Sequence, residues 1–69
     1  MIYRDDLLRG AKGARRQTNS DIAKAAGVSV PTVSAVLNGD PNVKLATLQA
    51  VADAVGVSMA ALVELEKVA

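Results

Sequence analysis

The sequence predicts an all-α domain of five short helices, and three observations carry that prediction. Apolar residues recur at helical spacing along most of the chain, clearest at Leu7, Leu8 and Ala11 and at Leu48, Val51, Ala52 and Val55. The tripeptides Gly27-Val28-Ser29 and Gly56-Val57-Ser58 each join a residue that closes a helix to one that opens the next. No segment alternates apolar and polar residues over a useful length, so no strand is expected.

The first helix is expected from about Asp5 to Ala14. Leu7, Leu8, Ala11 and Ala14 share its apolar face, and Arg4, Arg9 and Lys12 are left to solvent. Gly10 and Gly13 each cost roughly 0.8 to 1 kcal/mol relative to Ala, so its end should fray or stop early. Arg15-Arg16-Gln17 leads to the second helix, which Thr18 opens with Asp21 three residues on, a capping box with Asp in place of Glu or Gln. Ile22, Ala23, Ala25 and Ala26 form its apolar stripe, and Gly27 ends it. Ser29 caps the third helix, Val28 packs on Val33 as a hydrophobic staple, and Pro31 fits the first turn, where its missing N–H is no loss. The turn-rich run Asn38-Gly39-Asp40-Pro41-Asn42 stops it.

A fourth helix should run from about Lys44 to Val55, with Leu45, Leu48, Val51, Ala52 and Val55 on one face and Gly56 as its stop. The fifth should run from about Met59 to Lys67, with Ser58 as cap and Leu62 in the place of Val33. The helices around the two Gly-Val-Ser copies differ in pattern, so the repeat reflects shared boundary physics and not a duplicated domain.

At 69 residues the chain forms one domain, residues 1–69. A domain of this size buries only about 60% of its unfolded surface, so self-association would help it. Without cysteine or histidine it has no disulfides, thiolate chemistry or usual zinc ligands, and it suits a reducing cytoplasm. The opening MIYRDDLLRG is neither a signal peptide nor long enough to cross a bilayer, so no membrane partner is expected. Asp21 reads as a cap, Asp40 as a turn residue and Asp53 as an exposed helix position. No catalytic residue, metal or cofactor is therefore assigned, and an enzyme is not expected.

Net charge is only +1, but it is unevenly spread. Residues 1–24 carry six cations against three acids, and residues 25–69 carry two against four. One basic end and one mildly acidic end suit a protein with one face on phosphate and the other on protein.

The second and third helices, with their three-residue turn, make a helix-turn-helix. The stretch TNSDIAKAAGVSVPTVSAVLNG (Thr18 to Gly39) resembles that motif in the lambda repressor-like superfamily, and AGVSVPTVSAVLNG is especially similar to lactose-repressor-type transcription factors. With its N-terminal segment and TLQAVADAVGVSMAAL (Thr47 to Leu62), the wider frame is more similar to the compact five-helix domain of phage repressor and Cro type. The resemblance covers roughly Leu7 to Leu65. It implies a protein that binds double-stranded DNA through the third helix and has no small-molecule effector domain.

The N-terminal part of the second helix of such a motif enters the major groove, and the outward positions there are Val30, Pro31, Thr32, Ser34 and Ala35. Val33, Val36 and Leu37 return to the core. By resemblance Val30, Pro31 and Ala35 match base-reading positions, and Ser29, Thr32 and Ser34 match capping or phosphate-contacting ones. Ala35 departs from the related pattern, which commonly has a long donor such as Arg, and so removes the basis for a bidentate guanine contact there. Apolar contact with thymine methyls and short hydroxyl hydrogen bonds remain. A single tyrosine gives no stacking platform for single strands.

Phosphate contacts are expected from Thr18 and Asn19 at the amide end of the second helix, from Lys12, Arg15 and Arg16, and from Asn38 and Lys44 on the far side. Two cations beside a helix N-terminus oppose its macrodipole, an arrangement that a bound phosphate relieves. By resemblance Lys12 and Asn38 also match backbone-contacting positions. The fifth helix has an apolar arc about twice what one core face needs, so its outer strip, Ala61, Leu65 and Val68, is expected to join two copies. The resulting expectation is a homodimeric repressor of phage or prophage type on a palindromic operator. The alternative is an antitoxin or other interaction module that takes a protein partner on its C-terminal helix.

Overall fold

In a computed structural model of the chain, which describes residues 2–63, the helices follow one another as α1 (Asp5–Ala14), α2 (Asn19–Ala26), α3 (Val30–Leu37), α4 (Leu45–Val55) and α5 (Met59–Val63). No strand occurs among the described residues. None of the described helices is long and apolar enough to cross a membrane.

The predicted boundary residues set the ends of α2 and α3. Thr18 stands in extended backbone, its hydroxyl accepts from the Asp21 amide at 3.0 Å, and the Asp21 carboxylate accepts from the Thr18 amide at 3.0 Å. Those bonds, with the Thr18 amide first, hold the Asp21 carboxyl below its usual range. Its folded pKa lies below the unfolded one, so the cap's contribution is present above the unfolded value and is lost as pH falls through the folded one. Gly27 closes α2 at φ 73°, the left-handed conformation that costs glycine no Cβ clash. Ser29 Oγ then accepts from the Thr32 amide at 3.3 Å, with Pro31 in the first turn as expected. The second copy of the tripeptide works alike: Gly56 ends α4 at φ 80°, and Ser58 Oγ accepts from the Ala61 amide at 3.3 Å.

The core is formed by Tyr3, Leu8, Ile22, Ala23, Val33, Val36, Leu37, Leu48, Val51, Ala52, Val55 and Leu62. Leu7, Ala11, Ala26, Val28, Val57 and Met59 pack around it. The helix-turn-helix therefore sits on α4, and α1 packs against α3 and α4.

Several expected features differ. Leu45, placed with the core face of α4, is 57% exposed, because as the first helical residue it lies one turn before Leu48 and beyond the edge of the core. Ala14 is exposed at the last position of α1. Ala25 is also exposed, since two residues on a helix turn roughly 200°, which puts it nearly opposite the buried Ala23. The glycines do not shorten α1, which runs to Ala14. Of the expected fifth helix, residues 64–67 lie outside the described residues.

Arg9 and Tyr3 have contacts that spacing alone did not reveal. Arg9, expected only to face solvent, pairs with Asp5, and its Nη1 donates to the Leu37 carbonyl at 2.6 Å. Tyr3 is buried, and its hydroxyl donates to the Val36 carbonyl at 2.7 Å. Burial, then the Asp5 and Asp40 carboxylates, raises the Tyr3 phenol above its ordinary pKa, so it stays a donor throughout the neutral range.

Candidate nucleic-acid interface

The outward face of α3 carries no charge. Its eight residues are Val30 to Leu37, of which Val33, Val36 and Leu37 are buried. Val30 is 44% exposed, Pro31 is exposed, and Thr32, Ser34 and Ala35 are half-buried. The five positions expected to read bases thus include every residue of α3 outside the core. An exposed valine beside an exposed proline costs favourable burial, and it suits a surface that meets another apolar group such as a thymine methyl.

The hydroxyls of Ser29 and Thr32 lie 2.8 Å apart. Whichever donates to the other, one proton stays available for an outside acceptor, which a phosphate oxygen would provide. At the start of α2, Thr18 is exposed and committed to its cap, and Asn19 is half-buried in the first turn. Asn38 is exposed at the C-cap of α3, and Lys44 is exposed at the N-cap of α4, where its side chain makes no capping bond. Lys12 is half-buried in the last turn of α1.

The connector between α1 and α2 holds the two arginines in different ways. Arg15 is exposed, yet its Nη1 donates to the Val55 carbonyl at 3.2 Å, and Gln17 Nε2 donates to the Ala54 carbonyl at 3.0 Å. Both cap the C-terminus of α4, which has no basic residue in its own last turn. A side chain on Gly56 would collide with the Arg15 guanidinium. Arg16 stands at φ 55°, in the left-handed region that costs a side chain roughly 1–2 kcal/mol. Sequence periodicity signals neither feature, because both depend on how the connector crosses the end of α4.

Asp21, Asp40 and Asp53 do not converge. Asp21 belongs to the cap, Asp40 Oδ1 accepts from the Asn42 amide at 2.9 Å within the turn, and Asp53 is exposed on α4. No group of side chains that could hold a metal ion occurs among the described residues.

A family model described as bacterial regulatory proteins of the lacI family matches residues 18–56, from the cap of α2 to the stop of α4. That is more than half of the chain. The chain belongs to the LacI family. Its matched region contains the whole helix-turn-helix and the helix beneath it, so the protein carries the DNA-binding domain of a transcription regulator. No match was found among curated proteins or solved structures. In this LacI-family chain α3 is the second helix of the helix-turn-helix. Of the residues expected at a dimer contact, Ala61 is exposed on α5, and Leu65 and Val68 lie outside the described residues.

Proposed function

We propose that this LacI-family chain is a sequence-specific repressor. It acts as a homodimer on a palindromic operator, as a repressor of phage or prophage type. The observation that carries the reading is the uncharged outer face of α3, held by caps at Ser29 and Asn38. Val30, Pro31 and Ala35 contact thymine methyls, and Thr32 and Ser34 add short hydroxyl hydrogen bonds. Lys12, Arg15, Arg16, Thr18, Asn19, Ser29, Asn38 and Lys44 grip the phosphates on either side. Arg16 supports this reading, since a strained cation beside the amide end of α2 is well placed to meet an anion.

Selection of bound sites from random duplexes supplies the operator and the first test. Replacing thymine by uracil within each selected half-site should then weaken binding by roughly 1 kcal/mol or more, toward the 1–3 kcal/mol typical of a lost base contact. Full affinity for the all-uracil site would remove α3 as a methyl reader. A stable heterocomplex with no sequence preference on DNA would favour the protein-interaction reading instead.

The arginines give a second expectation. Arg16→Ala should weaken binding to all duplexes alike and reduce the salt slope by about 1. Arg15→Ala should do the same and also lower the melting temperature, because the Val55 carbonyl loses its donor. Titrations of specific and scrambled duplexes across salt, with thermal melts, separate the two. A redirected base preference at unchanged slope would contradict the phosphate assignment.

A further inference from the structure

Helix α3 has no basic residue in its last turn, and side chains from the start of the chain take its final carbonyls. The Tyr3 hydroxyl reaches the Val36 carbonyl from a ring only 6% exposed, and Arg9 Nη1 reaches the Leu37 carbonyl. Asp5, one turn before Arg9, pairs with its guanidinium. The Asp5 carboxylate also lies so close to Gly39 that a Cβ there would stand 3.0 Å from Oδ1. On its other side the segment is tied to α5, where the Arg4 amide donates to the Leu62 carbonyl at 2.9 Å.

This clamp holds the end of α3 opposite to Val30 and Pro31, two of the residues assigned to the groove. An eight-residue helix is about 12 Å long, so a tilt of about 10° at the clamped end displaces Val30 and Pro31 by about 2 Å. Methyl contacts and short hydroxyl hydrogen bonds do not survive such a shift, whereas phosphate contacts from long side chains adjust to it. The phenol hydrogen bond fixes one carbonyl in direction, and the guanidinium adds a cation at the negative end of the helix dipole.

We infer that Tyr3 and Arg9 are positioning residues for DNA recognition, which set the pitch of α3 in the groove without touching DNA themselves. The inference rests on the reading of α3 as the base-reading helix. Loss of either hold leaves α3 sampling several pitches, and apparent specific affinity falls by the fraction still in the reading pose.

The test uses the full chain as wild type, Tyr3→Phe, Arg9→Met and Arg9→Lys, on the selected operator and a scrambled duplex at several salt concentrations. Amide exchange of Gly39 is followed in the free protein, because that amide donates to the same Val36 carbonyl at 3.2 Å. Tyr3→Phe keeps the ring in the core. It should lower operator affinity roughly three- to tenfold, leave scrambled affinity and salt slope unchanged, and speed Gly39 exchange. Arg9→Met should act in the same direction, and Arg9→Lys should recover part of the loss. Operator and scrambled affinities that fall together, or a ratio unchanged in both Tyr3→Phe and Arg9→Met, would overturn the clamp alone. A wild type that does not distinguish the two duplexes would overturn the base-reading assignment and this inference with it.

Discussion

Inserting half a helical turn between the two half-sites of the selected operator should abolish tight binding. In a twofold dimer of this motif the recognition helices lie about 34 Å apart, so half-site centres are expected roughly 10 base pairs apart. About 5 added base pairs turn the second half-site to the far side of the duplex, and only one copy can then seat its α3. Specific sites are typically bound 10³- to 10⁷-fold more tightly than other DNA, and the altered site should lose most of that margin. Affinity for scrambled duplex should stay the same, since its phosphates are spaced as before. Gel shift and footprinting on the two spacings read the result directly. Equal affinity for both spacings would mean that each copy binds alone and that the strip proposed at Ala61, Leu65 and Val68 joins nothing on DNA. Sedimentation of Leu65→Glu would then show whether the copies associate at all.

Leu48→Ala should cost about 3 kcal/mol, within the 2–5 kcal/mol range for large-to-small changes at fully buried sites. A small domain has roughly 0.05–0.15 kcal/mol of stability per residue in total, so this one change removes a large share. The melting temperature should fall by about 12–24 °C, at the 4–8 °C per kcal/mol usual for domains of this size. Leu45→Ala, three residues earlier in the same helix, should stay within about 0.5 kcal/mol because Leu45 is largely exposed. Thermal melts of the two variants side by side check both values. Equal, concentration-dependent losses would place Leu45 against a second copy of the chain.

The helix boundaries that depend on neighbours within about four residues were legible before the fold was known. The Thr18 and Ser29 caps, the Gly27 and Gly56 stops and the place of Pro31 follow from local hydrogen bonds and backbone sterics, and each falls where expected. The register of α3 follows from its caps, and with it the division between Val33, Val36 and Leu37 inside and Val30 and Pro31 outside. Periodicity was less reliable where a residue lay at the margin of a face, as with Ala14, Ala25 and Leu45. An apolar pattern marks a stripe but not where the neighbouring helix ends.

The sequence by itself therefore determined five helices, their boundaries as far as the start of the fifth, and an uncharged outward face on the third. Only the tertiary structure decided which side chains complete the helix ends. Tyr3 closes on Val36 thirty-three residues away, Arg9 on Leu37, Arg15 on Val55 and Gln17 on Ala54. Neither α3 nor α4 has a basic residue in its last turn, so the carbonyls left over at their C-termini need donors from elsewhere in the chain. Such donors have no spacing rule. They are set by which surfaces the packed core brings within hydrogen-bond reach, and no periodicity along the chain encodes that.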